Sequence, residues 1–369
     1  MKPIMPFDDS IHLTRINSDS IKTIKKILIC QQRQIGDVLL ATPVLELLKK
    51  RFPDAEIDFF TEKKCVPILE NNPNIHKIHA LDKKKLKHFF AALFYYYGIA
   101  RNNYDLIVDL QQLPRIRWIN RFSRQAIRLT FTPPWYRRLL YTDWVDIQKG
   151  YAVAEKVSIL RVFDIIWQGE IPRIYLKDSE IQDVDVYLKS LGLKDNTTLI
   201  TVDSTHRRIT RRWPAEYYAK LMVLIAKKSP NMVFLPLFGP GEEKDIRELI
   251  EHCEKLEPGF SKENLLITDR MLTLREMAAC IAKAKVHIGN CSSPRHIAVA
   301  VDTPSFIVLG SNSGWTFPSI KHTDVSKGLA CQPCHSNVCP INCKCLYDLA
   351  PEEVISAFWE HLENNNISL

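Results

Sequence analysis

The chain has 369 residues, of which 46% are hydrophobic and 25% charged, and a formal net charge of +8. This is the composition of a soluble globular protein long enough for two domains, each able to bury a full core. No apolar run reaches the roughly 18 residues of a membrane span, and the start MKPIMPFDDSIHLTRINSDSIK lacks a signal-peptide pattern, so a cytoplasmic protein is expected. The positive charge favours acidic or phosphorylated partners, but spread over so long a chain it does not by itself indicate nucleic acid.

Residues 1–24 read as a polar N-terminal extension. At 25–53, KKILICQQRQIGDVLLATPVLELLKKRFP runs from a buried strand through a short polar loop into an amphipathic helix. Asp37, next to Gly36 and close to Gln34, stands at that junction, where open α/β folds bind their ligands. Two readings are open: a carboxylate that does chemistry, or a cap at the positive end of a helix dipole. Pro43 has no N–H to donate, so the helix is expected to kink or restart near Thr42. EIDFF, IHKIHAL and YDLIVDL are further short strands separated by helical patterns.

Among these, Lys83-Lys84-Lys85 leads into LKHFFAALFYYYGIARNNY, and Arg115, Arg117, Arg121, Arg124 and Arg128 follow. Basic residues beside exposed aromatics suit an anionic membrane surface. The other reading makes Phe89, Phe90, Leu93 and Phe94 the buried face of an ordinary helix.

The pattern is interrupted between Ile171 and Thr197, and then TLITVD, NMVFLPLF, NLLIT, VHIGN and SFIVLG repeat the alternation. Strands spaced by ~10 to 15 helical residues imply parallel sheets. The expected fold class is therefore α/β, with two Rossmann-like doubly wound domains over 25–180 and 181–348. The ligand is expected in a cleft between the C-terminal edges of the two sheets.

Three second-half loops carry groups suited to a nucleotide. The first, Asp203-Ser204-Thr205-His206-Arg207-Arg208, continues to Arg211-Arg212-Trp213-Pro214, and its hydroxyls and guanidiniums at a helix entrance suit a diphosphate. The second, Gly239-Pro240-Gly241-Glu242-Glu243, offers close backbone approach and a carboxylate for ribose hydroxyls, or else a plain turn and helix start. The third, Gly289-Asn290-Cys291-Ser292-Ser293-Pro294-Arg295-His296, puts small hydroxyl residues, Arg295 and His296 at another helix entrance.

Five of the ten cysteines, Cys331, Cys334, Cys339, Cys343 and Cys345, crowd into a tail at 331–345. In a cytosolic chain this suggests a structural zinc, with His335 as an extra candidate ligand. The spacing is tighter than a usual pair of zinc knuckles, so packed thiols are the alternative. Residues 349–369 form a closing helix from Pro351, with Ile355, Phe358, Trp359 and Leu362 as its apolar stripe.

Together, IGDVLLATPVLELLKKRFPDAEIDF, YDLIVDLQ, RRWPAEYYAKL, FGPGEE, HIGNCSSPRHIAVAVDTP and the Cys-rich tail resemble glycosyltransferase family 9, the ADP-heptose:lipopolysaccharide heptosyltransferases. The resemblance spans about Lys25 to Phe358 and rests on the order and spacing of these segments. It implies a GT-B architecture, with the acceptor on the first domain and the nucleotide-sugar on the second. It also implies inverting transfer of heptose from ADP-heptose to an inner-core sugar of lipopolysaccharide, without a catalytic metal or other cofactor. Asp37 matches the family's general base. Ser204 and Thr205 match its hydroxyl pair, Arg211 its phosphate-binding Lys with Arg212 as competitor, and Glu242 or Glu243 its ribose-binding carboxylate. Ser292, Ser293 and His296 occupy the phosphate-binding turn.

One departure stands out: Cys291-Ser292-Ser293 replaces the family's Asp-Ser/Thr-Gly, removing a carboxylate and a flexible residue. Arg295 adds a charge there. A different nucleotide-sugar donor, or an inactive donor-binding relative, is therefore the alternative within the fold. A nicotinamide-dependent oxidoreductase predicts G-x-G-x-x-G after the first strand, which CQQRQIGD does not supply. A nucleic-acid-binding or scaffold protein with a zinc-bound tail is the remaining class; the expected partners include no nucleic acid. The expected location is the cytoplasm, with the inner face of the inner membrane as an option within it.

Overall fold

Short runs rich in Ile, Leu and Phe, apolar on both faces, become parallel strands covered by crossover helices. The computed structural model describes residues 11–86, 88–313 and 315–367. The chain divides into two units, Met1–Tyr175 and Leu176–Leu369, each with its own sheet.

The first sheet contains β1 (Ile11–His12), β2 (Lys26–Cys30), β3 (Glu56–Glu62), β4 (Lys77–Leu81), β5 (Leu106–Asp109), β6 (Ile127–Phe131) and β7 (Asp143–Val145). Its order is β1-β7-β6-β5-β2-β3-β4. All neighbours are parallel except β1, which pairs antiparallel with β7. Part of the expected extension is thus an edge strand. The Asp143 carboxylate holds the next turn by accepting the N–H groups of Thr14, Arg15 and Ile16 at 2.8, 3.0 and 3.1 Å. Strand β2 lies between β3 and β5, with Ile27, Leu28, Ile29 and Cys30 fully buried. Its C-terminal end therefore sits at the sheet's centre, where a following loop is held rigidly.

The helix restart at Pro43 is present. One short helix runs Ile35–Leu39, and a second runs Thr42–Arg51 with Pro43 in its first turn. The helix Phe89–Ala100 corrects one alternative. Tyr96, Ile99 and Ala100 pack inward, whereas Phe89, Phe90 and Phe94 are 60%, 71% and 74% exposed. A helix apolar nearly all round cannot bury every side on one sheet, and this one buries its last turn.

The second sheet contains β8 (Thr198–Asp203), β9 (Met232–Pro236), β10 (Val286–Asn290), β11 (Ser305–Val308) and β12 (His322–Val325). The order is β12-β11-β10-β8-β9, all parallel. The expected strand NLLIT forms only one bridge, Phe234 with Leu265. The real edge strand on the other side is the polar HTDV of β12. Strands β6, β7 and β12 were hidden by Arg, Asp and His within or beside short runs.

The last helix, Pro351–Asn364, belongs to the second unit. Phe358 meets Phe306 edge-on at 5.4 Å, and the Thr323 hydroxyl pairs with His361 Nδ1 at 2.8 Å. No helix among the described residues is long and apolar enough to cross a membrane.

Candidate active site

In the first unit the chain leaves β2 through Gln31 and Gln32, both buried, and turns into the helix Ile35–Leu39. Asp37 lies in the first turn of that helix. Its Oδ2 accepts the Gln34 N–H at 3.2 Å, so the capping reading holds for one oxygen. Its Oδ1 is 3.7 Å from Lys156 Nζ, on a helix that spans Ala152–Val157. Lys156 Nζ also donates to Gln31 Oε1 at 3.2 Å. Burial lowers the Lys156 pKa, and the charge on Asp37 opposes that shift. The Asp37 side chain keeps 29% exposure, so a carboxylate oxygen is reachable. Gln34 is exposed and its Oε1 accepts from Lys64 Nζ at 3.2 Å, while Gly36 is half-buried within the helix. Lys156 escaped the sequence reading. Its one local signal was a place beside Glu155 and between Val153 and Val157 on a short helix.

In the second unit the chemistry gathers at the C-terminal ends of β8 and β10, held close by Gly289. A Cβ at that position would lie 2.9 Å from both the Cβ and the carbonyl oxygen of Asp203. Asn290 then fixes the loop after β8, since its Nδ2 donates to the carbonyls of Asp203 and Thr205 at 3.3 and 3.2 Å. Its Oδ1 accepts the Trp213 N–H at 2.9 Å.

Onto this frame a polar network is built. Thr205 Oγ1 lies 2.7 Å from Glu242 Oε2 and 3.2 Å from Asp203 Oδ1. Glu242 Oε2 also accepts the Gly239 N–H at 2.7 Å, and Ser292 Oγ donates to Asp203 Oδ2. The Thr205 hydroxyl has one proton and so donates to one of the two carboxylates at a time. Burial pushes the Asp203 pKa up to about 7, with the charge on Glu242 adding to the rise and the Ser292 bond opposing it.

Asp203 opens the 203–208 loop, and its role is not legible in the sequence. Burial of an acid at a strand end is visible only once β8 and β10 are paired. It also answers the missing carboxylate of the 291–293 turn, because the turn's Ser292 is bonded to an acid from the neighbouring strand.

The structure separates the paired candidates. Glu242 turns toward Thr205. Glu243 lines a pocket of about 390 Å³ with Phe238, Arg247, Ile267 and Met271. Arg212 pairs with Asp245 at 3.3 Å. Arg211 has a buried Nε without a hydrogen-bond partner, and burial together with neighbouring Arg208 lowers its pKa. Such a group is short of an anion. Ser204 lines a second, polar pocket with Arg212 and Asp245. Burial, with Arg211 next in effect, pushes His206 down to about 4 and keeps it neutral.

Ser292 and Ser293 begin the helix Ser293–Ala300, whose N-terminal dipole end favours an anion. His296 is 5% exposed, with its ring 6.1 Å from Trp315. Arg295 already has partners within the fold. It is 1% exposed, donates to Cys291 Sγ at 2.9 Å and pairs with Asp324 at 3.3 Å, so its charge is spent inside the fold.

The Cys-rich tail packs beside this loop. Thr210 Oγ1 donates to the Ser336 carbonyl at 2.9 Å, and the His335 N–H to the Ser311 carbonyl at 2.6 Å. Cys331 and Cys334 are exposed, Cys343 and Cys345 are buried, and Cys339 Sγ accepts the Cys343 N–H at 3.2 Å. Among the described residues no three His, Cys, Asp or Glu side chains are grouped to hold a metal ion.

A parallel-stranded α/β pair with an acid on one unit and an anion-seeking loop cluster on the other is the layout of a GT-B sugar transferase. The profile of glycosyltransferase family 9 (heptosyltransferase) matches residues 97–345, and the chain belongs to that family. It is 25% identical over 287 residues to lipopolysaccharide heptosyltransferase 3 of Escherichia coli, covering 75% of this chain and 81% of that one. It is 26% identical over 305 residues to lipopolysaccharide heptosyltransferase 1 of Campylobacter coli, covering 79% and 85%. In fold it is similar to the glycosyl transferase family 9 protein of Veillonella parvula, with a TM-score of 0.76 at 20% identity over 92% and 97% of the chains. The E. coli heptosyltransferase WaaC with ADP-2-deoxy-2-fluoro heptose is similar at a TM-score of 0.66 and 16% identity, over 91% and 99%.

Proposed function

We propose that this glycosyltransferase moves heptose from ADP-heptose to an inner-core sugar of lipopolysaccharide with inversion, and that Asp37 is its general base. The carrying observation is the second unit's network of Thr205, Glu242, Ser292 and Asp203 beside the unsatisfied Arg211. Carboxylates with lone pairs to spare suit ribose or sugar hydroxyls, and a guanidinium whose Nε lacks an acceptor suits a diphosphate. The pocket lined by Phe238, Ile267 and Met271 has apolar walls and charged edges suited to a planar base.

In the reaction the acceptor hydroxyl gives its proton to Asp37 as its oxygen attacks the anomeric carbon. The bond from that carbon to the β-phosphate oxygen breaks on the opposite face, and ADP leaves with the electron pair. Arg211 and the start of the helix Ser293–Ala300 neutralise the charge that grows there. Lys156, 3.7 Å from Oδ1, holds the Asp37 carboxylate in orientation. No step needs a metal.

For the tail we favour packed free thiols over a structural zinc, because Cys343 and Cys345 face the core while Cys331 and Cys334 face outward. Both arrangements leave the transfer chemistry untouched.

Replacing the base tests this reading. With ADP-heptose and a truncated core acceptor, Asp37→Asn should lower transfer by about 10²- to 10⁴-fold while leaving ADP affinity unchanged. Full turnover in that variant overturns the assignment. Competition among other nucleotide-sugars at the same acceptor identifies the donor.

A further inference from the structure

Residues 83–142 contain twelve Lys and Arg but only two Asp and no Glu. This excess is larger than the +8 of the whole chain, so the positive charge is concentrated rather than spread. Neither acid neutralises the outer face. Asp105 accepts the N–H groups of Lys25 and Lys26 at 2.8 and 2.9 Å, and Asp109 is fully buried with Tyr141 donating to it at 2.7 Å.

The same segment builds an outward apolar surface. The helices Phe89–Ala100 and Ile116–Phe122 pack side by side, and Tyr96, Ile99, Ile116 and Ile119 join the core beneath them. Outside, Phe89 meets Trp118 at 5.9 Å and Tyr97 meets Phe122 at 5.5 Å, which links the two helices in one aromatic seam. Phe90, edge-on to Phe89 at 5.7 Å, and Phe94 extend the surface at 71% and 74% exposure. A turn at Trp135–Leu140, next to the second helix, adds Trp135 at 79% and Leu139 at 96%. Among the described residues, the side chains of Lys84, Lys85, Arg121 and Arg124 form no ion pair.

We propose that this face docks the protein on an anionic phospholipid membrane. Exposed large apolar side chains cost free energy in water and gain it at the headgroup boundary, where unpaired Lys and Arg meet anionic lipid. Leu139 and Leu93 offer no π-face for a base to stack on, so the patch fits acyl chains better than single-stranded nucleic acid. The purpose of docking rests on the proposed transfer, since a lipid-carried core acceptor lies at such a surface. The docking itself rests on the patch alone.

The test uses the full chain in a sedimentation assay with vesicles of phosphatidylcholine, with and without phosphatidylglycerol, and no sugar substrate. Wild-type protein should bind the phosphatidylglycerol vesicles and lose binding as salt rises. Phe90→Ser with Phe94→Ser should cut vesicle binding at least about tenfold. Arg121→Glu with Arg124→Glu should cut it by more than about fivefold per charge removed. Unchanged melting temperatures show that both variants fold. Wild-type protein that stays in solution, a Phe variant that binds like wild type, or RNA held more tightly than the vesicles overturns the proposal. Turnover on a soluble, delipidated acceptor should be unchanged in both variants. An absence of turnover in wild-type protein that still binds vesicles would sink the transfer reading and leave the docking intact.

Discussion

Asp203 shows most clearly how one residue's neighbours set its chemistry. The acid is buried at the end of β8, with a second carboxylate, Glu242, reached through a shared hydroxyl. Its folded pKa of about 7 stands above the unfolded value, so the folded state binds more protons between roughly pH 4 and pH 7. The cost to stability is absent below that window, grows as pH rises through it, and is complete above pH 7. Asp203→Asn should therefore stabilise the protein at pH 8, by an amount on the order of a few kcal/mol. The gain should shrink as pH falls toward 4, as thermal melts across pH will show. If donor hydroxyls bond this acid, the same variant should weaken ADP-heptose binding. A pH-independent melting difference would refute the linkage. Asp37, by contrast, was legible from the strand-loop-helix alone, but its partner Lys156 was not, because 119 positions separate them in the chain.

At the scale of elements, the tail at 331–345 is the sharpest case. Its cysteine spacing allowed either a zinc site or packed thiols, and spacing says nothing about which way each side chain turns. In the folded tail, hydrogen bonds from its backbone to Thr210 and Ser311 hold it against the loop after β8, and its thiols split between core and surface. Metal analysis of protein purified without chelators should find no stoichiometric zinc, and a chelator should leave the melting temperature unchanged. One zinc per chain would restore the metal reading. The helix Phe89–Ala100 makes the same point. Its composition left burial and exposure both open, and only its packing through Tyr96 and Ile99 decided that three Phe side chains stay outside.

At the scale of the whole molecule, the chain carries two sheets with separate cores, and every residue proposed for the donor lies in the second unit. Calorimetry with ADP at about 100 times its dissociation constant should stabilise the transition of residues 176–369 by ~2.7 kcal/mol. Asp37→Asn should keep that shift, whereas Arg211→Ala should lose most of it. A shift that vanishes with Asp37→Asn would place the nucleotide in the first unit instead.

The sequence by itself determined the α/β class, the restart of the helix at Thr42 and the family, and it marked the polar loops now proposed to hold the donor. Each of these is written in local periodicity, in proline or glycine chemistry, or in short motifs whose residues are neighbours in the chain. It missed β1, β6, β7 and β12, which are short or polar and become strands through pairing with a sheet already formed. Tertiary structure alone decided that Arg295 is an internal ion pair, that Glu242 and not Glu243 meets Thr205, and that Asp203 supplies a carboxylate to Ser292. These are contacts between β8, β10 and β12 and the loops beyond them, and a single sequence does not carry the distances on which hydrogen bonds and ion pairs depend.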